Sequence, residues 1–337
     1  MLWNGRFGIR SLAILVTGVA PVFLLTACPH QSLTVDEAKE VTMSVRRTSF
    51  VPPPRRSYDI VELLKRPNQE DSQATRQFLA QARAEPSNNM NVAQLANFHL
   101  ERGKAAFQIG LMQQTRNDFQ RALFLANSAG TPAHDVKFRL ATIEYVFGNF
   151  QRTNDLAAQS AYETGYISRY AYMVKHHARI GDLGGALQWR REGKQLYVDK
   201  VSRNPSLRQE PFTRYSLAEM EAVILEARGH FQEAESYRRT MLASFEKGSK
   251  GQMPSFVLSM KLALINNLRM QGRLVEAEIE TRRAIEDTVD FGGKGTFYCA
   301  MACQTLGKIL IDQRRLKEAR AILETAIEIA IQSDIPS

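Results

Sequence analysis

Six small residues set the frame for this chain. Thr115, Thr153, Ala186, Ala234, Ala277 and Ala319 each stand near the start of an apolar stripe with helical spacing, and they recur at intervals of 38, 33, 48, 43 and 42 residues. Self-similarity at such periods marks a stacked-repeat architecture, because one helix pair cannot bury its apolar face alone and needs the next pair to cover it. Small residues let two antiparallel helices approach closely, and large apolar residues wedge between successive pairs. No run of alternating apolar and polar residues is long enough to argue for a sheet. The expectation is an all-α solenoid of about six helix pairs.

The segment from Leu306, "LGKILIDQRRLKEARAILETAIE", resembles the tetratricopeptide repeat, with Leu306, Gly307, Leu310, Leu316, Ala319, Leu323 and Ala326 at consensus positions. One repeat earlier Leu264, Leu268, Gly272, Leu274, Ala277 and Ala284 do the same, with Ile265 where the family has glycine. Gly229, Phe231 and Ala234 mark another unit, as do Gly181, Leu183 and Ala186, then Gly148, Asn149 and Phe150, and finally Gly103, Gly110, Phe119 and Ala122. Arg102 and Gly193 depart from the pattern at positions that normally pack. The later intervals exceed the family's usual ~34 residues and are similar to the stretched repeats of kinesin-light-chain-like arrays. The resemblance covers residues 91–337 and implies a curved stack whose first helices line a concave, partner-binding face.

The N-terminus reads as an export signal. Arg6 and Arg10 precede 17 uncharged residues, Ser11 to Ala27, the cationic head and apolar middle of a cleaved leader. Leu25-Thr26-Ala27-Cys28 resembles the lipobox of bacterial lipoproteins, which implies that Cys28 carries diacylglycerol and begins the mature chain. Pro29 after it favours the outer membrane, facing the periplasm, with the inner membrane or cell surface as the other possibilities. The full chain carries 44 Lys+Arg against 35 Asp+Glu. The mature portion is basic, and export leaves no nucleic acid for it to meet. Residues 28–56 form an extended tether, including Pro52-Pro53-Pro54, which prefers polyproline II. Residues 57–90 hold two short capping helices, one opening at Asp59 with Glu62 completing a capping box and ending at Pro67. The other starts near Asp71 and stops before Pro86, with Ala74, Phe78, Leu79 and Ala82 on one face.

In the repeat register Lys104, Lys175 and Lys308 fall at one inward-facing position, with Asn266 at the same place in the fifth unit and Arg179 and Arg269 a turn further on. A groove with this lining selects an acidic or carboxylate-bearing peptide. Arg190-Arg191, Arg238-Arg239 and Arg282-Arg283 recur on the second helices, and stacking predicts an outer ridge of six guanidiniums able to hold phosphate or carboxylate. The blander reading of both sets is solvated side chains whose stems cover apolar surface.

Catalytic signatures are absent: the histidines His30, His99, His134, His176, His177 and His230 form no HExxH, and no GxSxG or P-loop occurs. The residue pattern calls for no metal and no cofactor, and the chain is read as a non-enzyme. Cys299 and Cys303 share one helix face and are expected to be buried. The last helix shows Ile322, Leu323, Ala326, Ile327, Ile329, Ala330 and Ile331 on more than one face, so a partner, a second copy or a downstream domain is expected to cover it. The order of proline-arginine segment, short helices and stretched repeats is similar to the repeat regions that precede caspase-like CHAT domains. The reading is therefore an envelope-anchored interaction scaffold, with the recognition half of a CHAT-type protease as the alternative and a glycan-holding cell-wall accessory protein third.

Overall fold

The computed structural model describes residues 58–65, 73–249, 254–292 and 297–332, all within one compact unit that runs from Pro53 to Ser337. The segments expected to be leader and tether, with Cys28, as well as Pro67 and residues 293–296, lie outside the described residues. Two short helices, α1 (Tyr58–Lys65) and α2 (Gln73–Ala82), precede six antiparallel pairs. The pairs are α3 (Val92–Gln108) with α4 (Met112–Ser128), α5 (His134–Val146) with α6 (Phe150–Thr164), and α7 (Ile167–Arg179) with α8 (Leu183–Arg203). They continue as α9 (Pro211–Ala227) with α10 (Phe231–Ser249), α11 (Pro254–Met270) with α12 (Leu274–Gly292), and α13 (Phe297–Asp312) with α14 (Leu316–Gln332). The fold is a tetratricopeptide-type helical solenoid, with no strand among the described residues. The longest interval, from Ala186 to Ala234, is taken up by the 21 residues of α8 and a 3-10 turn at Pro205–Arg208.

One turn is repeated six times. Gly110, Gly148, Gly181, Gly229 and Gly272 sit at φ between 76 and 82°, and Arg314 takes the sixth place at φ 62°. This left-handed conformation is cheap only without a Cβ. The residue after each donates its N–H to the carbonyl five back, as in Leu111 to Ala106, Asn149 to Glu144 and Arg315 to Leu310, at 2.8–3.1 Å over the six. That bond is the Schellman closure of a helix C-terminus. Five residues after each of these positions come Thr115, Thr153, Ala186, Ala234, Ala277 and Ala319, and all six are buried. Each donates its N–H to the residue that follows the left-handed one, opening the second helix at a fixed angle. The two helices of a pair approach closely at Gly307, where a Cβ would stand 2.5 Å from Leu323 Cδ2, and at Gly103, where it would stand 2.7 Å from the Phe119 ring.

The departures from the repeat pattern have local answers. Arg102 is bound by the buried Asp118 carboxylate, with Nη2 to Oδ1 at 2.8 Å, while His99 Nδ1 lies 2.8 Å from the same oxygen. Gly193 lets Tyr170 and Met220 pack where a side chain would collide, since a Cβ there would be 3.0 Å from Tyr170 Cβ. Cys299 and Cys303 are both buried thiols, without a disulfide. A hydrogen bond to Cys299 and burial push the Cys303 thiol well above its usual range.

The two capping helices separate. α2 packs on α3, where Ala82 and Phe78 join Ala105 and Ala106. α1 instead reaches the other end of the stack: Ile60, Val61 and Leu64 share a core cluster with Leu258, Ile285, Ile309, Ile322 and Ile329. Asp59 lies inside the first turn of α1 rather than before it, and its Oδ1 accepts from Arg282 Nη1 at 2.8 Å. The ring of Phe107, at the end of α3, meets those of Phe297 and Tyr298, at the start of α13, at 6.2 and 6.1 Å. The first and last pairs therefore touch through these rings. On α14 Ile322, Ala326 and Ile329 are buried, whereas Ile327 and Ile331 stay exposed.

Candidate functional site

The inner helices α7, α9 and α11 end side by side, and their last turns enclose a cleft of about 320 Å³. Lys175, Ala178 and Arg179 enter from α7, Val223, Glu226 and Ala227 from α9, and Ala263, Asn266, Asn267 and Met270 from α11, while Phe231 and Arg238 of α10 close the floor. Beneath the cleft lies Glu219, with only 3% of its side chain exposed. Burial alone would raise its pKa, but Arg238 and Lys175 outweigh that and hold it at about 2. Lys175 Nζ lies 3.2 Å from Glu219 Oε1, and Arg238 Nη1 bonds the other oxygen. Arg238 also grips Glu226 with two parallel bonds, Nε to Oε1 at 3.0 Å and Nη2 to Oε2 at 2.7 Å. This fork geometry is what a guanidinium offers a carboxylate. Asn267 Nδ2 donates to Glu226 at 3.0 Å and to the Phe231 carbonyl at 3.1 Å, tying α11 to the pair before it.

Electrostatically the cleft holds three cations, Lys175, Arg179 and Arg238, against two carboxylates, Glu219 and Glu226. Desolvation pulls the Lys175 ammonium below its ordinary range, with Glu219 opposing, while burial of Arg238 is outweighed by Glu219 and Glu226 and its pKa rises. Arg179 is exposed, stands 5.4 Å from the Tyr145 ring centre, and has no carboxylate partner among the described residues. Asn266 lines the cleft, and its amide nitrogen donates back to the Leu262 carbonyl at 3.0 Å.

Of the six inward-facing residues expected from the register, Lys175, Arg179 and Asn266 share this cleft. Arg269 and Lys308 form a second group between α11 and α13, where Arg269 pairs with Asp312 at 2.7 Å and the Lys308 ammonium is depressed by burial and by Arg269. Lys104 stands apart on the first pair, 2.6 Å from Glu101 of its own helix.

The ridge of six guanidiniums does not form. Adjacent helical residues point about 100° apart, so one arginine of a pair turns inward. Arg238 and Arg282 are 4% and 5% exposed and hold buried Glu219 and Glu278. Arg190 pairs with Glu221 at 3.0 Å, Arg239 bridges Glu235 and Glu276 at 2.7 and 2.8 Å, and Arg283 is held by Glu280 at 2.9 Å. Arg191 remains an exposed residue of α8.

The residues that register reasoning passed over are the buried carboxylates. Asp118, Glu144, Glu219 and Glu278 are each nearly inaccessible and each answered by arginine, Glu144 by Arg116 at 3.0 Å and Glu278 by Arg282 at 2.9 Å and Arg315 at 2.7 Å. The available signal was an acid inside an apolar run, such as Glu219 in "LAEMEAVILEA". His176 is another: it is buried, with neither ring nitrogen hydrogen-bonded among the described residues, whereas His177 reaches Asp182 at 2.7 Å. Among the described residues no group of three or more His, Cys, Asp or Glu is placed to hold a metal ion, and no helix is long and apolar enough to cross a membrane.

No protein-family model matches this sequence, and no curated protein matches it. Solved structures do match in fold. The Rap conjugation gene regulator of the plasmid pLS20, in complex with the Phr* peptide, is similar over 74% of this chain and 65% of its own, at 15% identity and TM-score 0.50. A STAND-class signal transduction ATPase with a tetratricopeptide repeat sensor, from Pyrococcus horikoshii, is similar over 71% of this chain and 38% of its own, at 15% identity and TM-score 0.47. A tetratricopeptide repeat protein from Parabacteroides merdae is similar over 83% of this chain and 94% of its own, at 16% identity and TM-score 0.44. This chain thus spans under two thirds of the ATPase and the Rap regulator, and the likeness is one of fold.

Proposed function

We propose that this chain is an interaction scaffold of the bacterial cell envelope, anchored to the membrane through lipid on Cys28, that takes an acidic segment of a partner protein into its concave cleft. The observation that carries the reading is the charge count in and directly beneath the cleft: three cations, Lys175, Arg179 and Arg238, stand with two carboxylates, Glu219 and Glu226, and Arg179 is exposed with no carboxylate partner among the described residues. A carboxylate from a peptide completes the count, and Met270, Val223 and Phe231 give its neighbouring apolar atoms a surface. The Rap regulator of similar fold was solved with a peptide bound, a precedent for peptide capture by such a stack. For the anchor the support is the sequence Leu25-Thr26-Ala27-Cys28 behind its apolar run. Pro29 after the cysteine supports an outer-membrane, periplasm-facing position over the inner membrane or the cell surface.

Two experiments test the reading. Binding to an array of peptides graded in acidic content should rise with carboxylate number and fall at least tenfold in Arg179→Glu; equal binding by the variant would refute the cleft. Cys28→Ser should move the protein from the membrane to the soluble fraction, and unchanged membrane attachment would refute the lipid anchor. A second reading, the recognition half of a CHAT-type protease, is favoured by the exposed Ile327 and Ile331 of α14. The intact mass of the protein from its own membranes distinguishes the two.

A further inference from the structure

Terminal units of a solenoid normally turn a polar face outward, yet on α14 an apolar cluster continues past its own partner α13. Besides packing on α13, α14 is met by α1, whose Ile60, Val61 and Leu64 join the cluster that holds Ile322, Ala326 and Ile329. The contact is extended by Asp59, which meets Arg282 of α12 at 2.8 Å across a sequence separation of 223 residues. Arg282 is itself almost inaccessible and already shared with Glu278, so the seat offers one directed cation beside an apolar groove. An eight-residue helix is too short to hold itself in water. α1 is therefore helical only while seated, and its neighbour α2 packs elsewhere, on α3.

We propose that the seat formed by α12 and α14 is a docking site for a short amphipathic helix, that α1 fills it in cis, and that the partner it fits is a helix with α1's pattern. That pattern is an acid in the first turn and apolar residues one, two and five positions later, as Asp59, Ile60, Val61 and Leu64 show. The site is separate from the cleft under α7, α9 and α11 and does not depend on that reading. A partner helix must displace α1, which is present at the high effective concentration of a tethered ligand, so occupancy of the seat is regulated by α1 itself.

The test uses the full-length chain in detergent and a fluorescein-labelled synthetic peptide of residues 57–66. The double substitution Ile60→Asp with Leu64→Asp unseats α1 and leaves the seat intact. Fluorescence anisotropy should show saturable binding of the peptide to this variant, binding at least tenfold weaker to the wild type, and loss of binding when the peptide carries Asp59→Lys. Absence of binding to the variant, or equal binding to both chains, overturns the proposal. If the double substitution instead melts the whole stack, α1 is an integral part of the fold and the proposal falls. Hydrogen exchange on the wild type decides the same point independently. Amides of α1 should exchange ahead of those of α11 to α13 by local opening, and exchange of α1 only at the rate of the core overturns it.

Discussion

Replacing Glu219 with glutamine removes one negative charge from beneath the cleft and almost nothing else in shape. Its size of effect follows from the carboxylate's surroundings. The ordinary pKa of 4.5 is brought to about 2 in the folded protein, and each unit is worth about 1.4 kcal/mol, so the charge stabilises the native state by about 3 kcal/mol near neutrality. Exposure of 3% means that solvent screening subtracts little. Because the folded pKa lies below the unfolded one, this stabilisation is complete above about pH 4.5 and disappears as the pH falls toward about 2. Glu219→Gln should therefore lower the urea midpoint at pH 7 by about 1 M for a chain of this size. Trp189 is 8% exposed and packed among Tyr162, Tyr170 and His177, which makes its fluorescence the natural readout. The difference between the two proteins should shrink steadily between pH 4.5 and pH 2. A difference below about 1 kcal/mol at pH 7, or one that does not change with pH, would refute the assignment of Glu219 as the charged centre of the network.

Arg314 occupies the left-handed position that five glycines hold elsewhere, so Arg314→Gly should raise stability by about 1 kcal/mol, seen as a higher melting temperature; a lower one refutes the strain. Gly307→Ala drives a methyl group into Leu323 and should cost about 1–3 kcal/mol, with Leu323→Ala in the same chain recovering part of it in a double-mutant cycle. Burial, helped by His177 and Arg179, pushes the His176 imidazole below its usual pKa. The protein should accordingly lose stability as the pH drops below about 6.5, and denaturation curves of His176→Phe should show less of that loss.

The solenoid was legible because its turn chemistry is local. A glycine, its Schellman closure and a small residue five places on are written contiguously, and no distant contact is needed to read them. Part of the cleft was legible for the same reason: Lys175 and Arg179 lie four apart on one helix, and the register carries Asn266 to the same side. What the register leaves open is which way each of two neighbouring arginines turns. Arg238 and Arg239 look alike in sequence, and the choice between them is made by Glu219 and Glu226 on the preceding helix. The seat of α1 was beyond sequence reasoning altogether, since nothing near Asp59 indicates Arg282. The apolar surplus of α14 raised the expectation of a cover from outside the repeats, and the structure brings α1 of the same chain into its cluster.

The fixed five-residue step from turn to small residue also tells where this chain tolerates engineering. A residue inserted inside the step rotates the second helix by about 100° and carries its small residue away from the neighbouring helix. A residue inserted between pairs changes only the length of a loop, and loop closure grows slowly with length. Intervals from 33 to 48 residues around an unvarying step show that helix and connection lengths outside it vary while the step itself does not. A reporter tag or a recognition epitope therefore belongs in an exposed connection between pairs, such as Ala129–Gly130, and nowhere between Gly229 and Ala234.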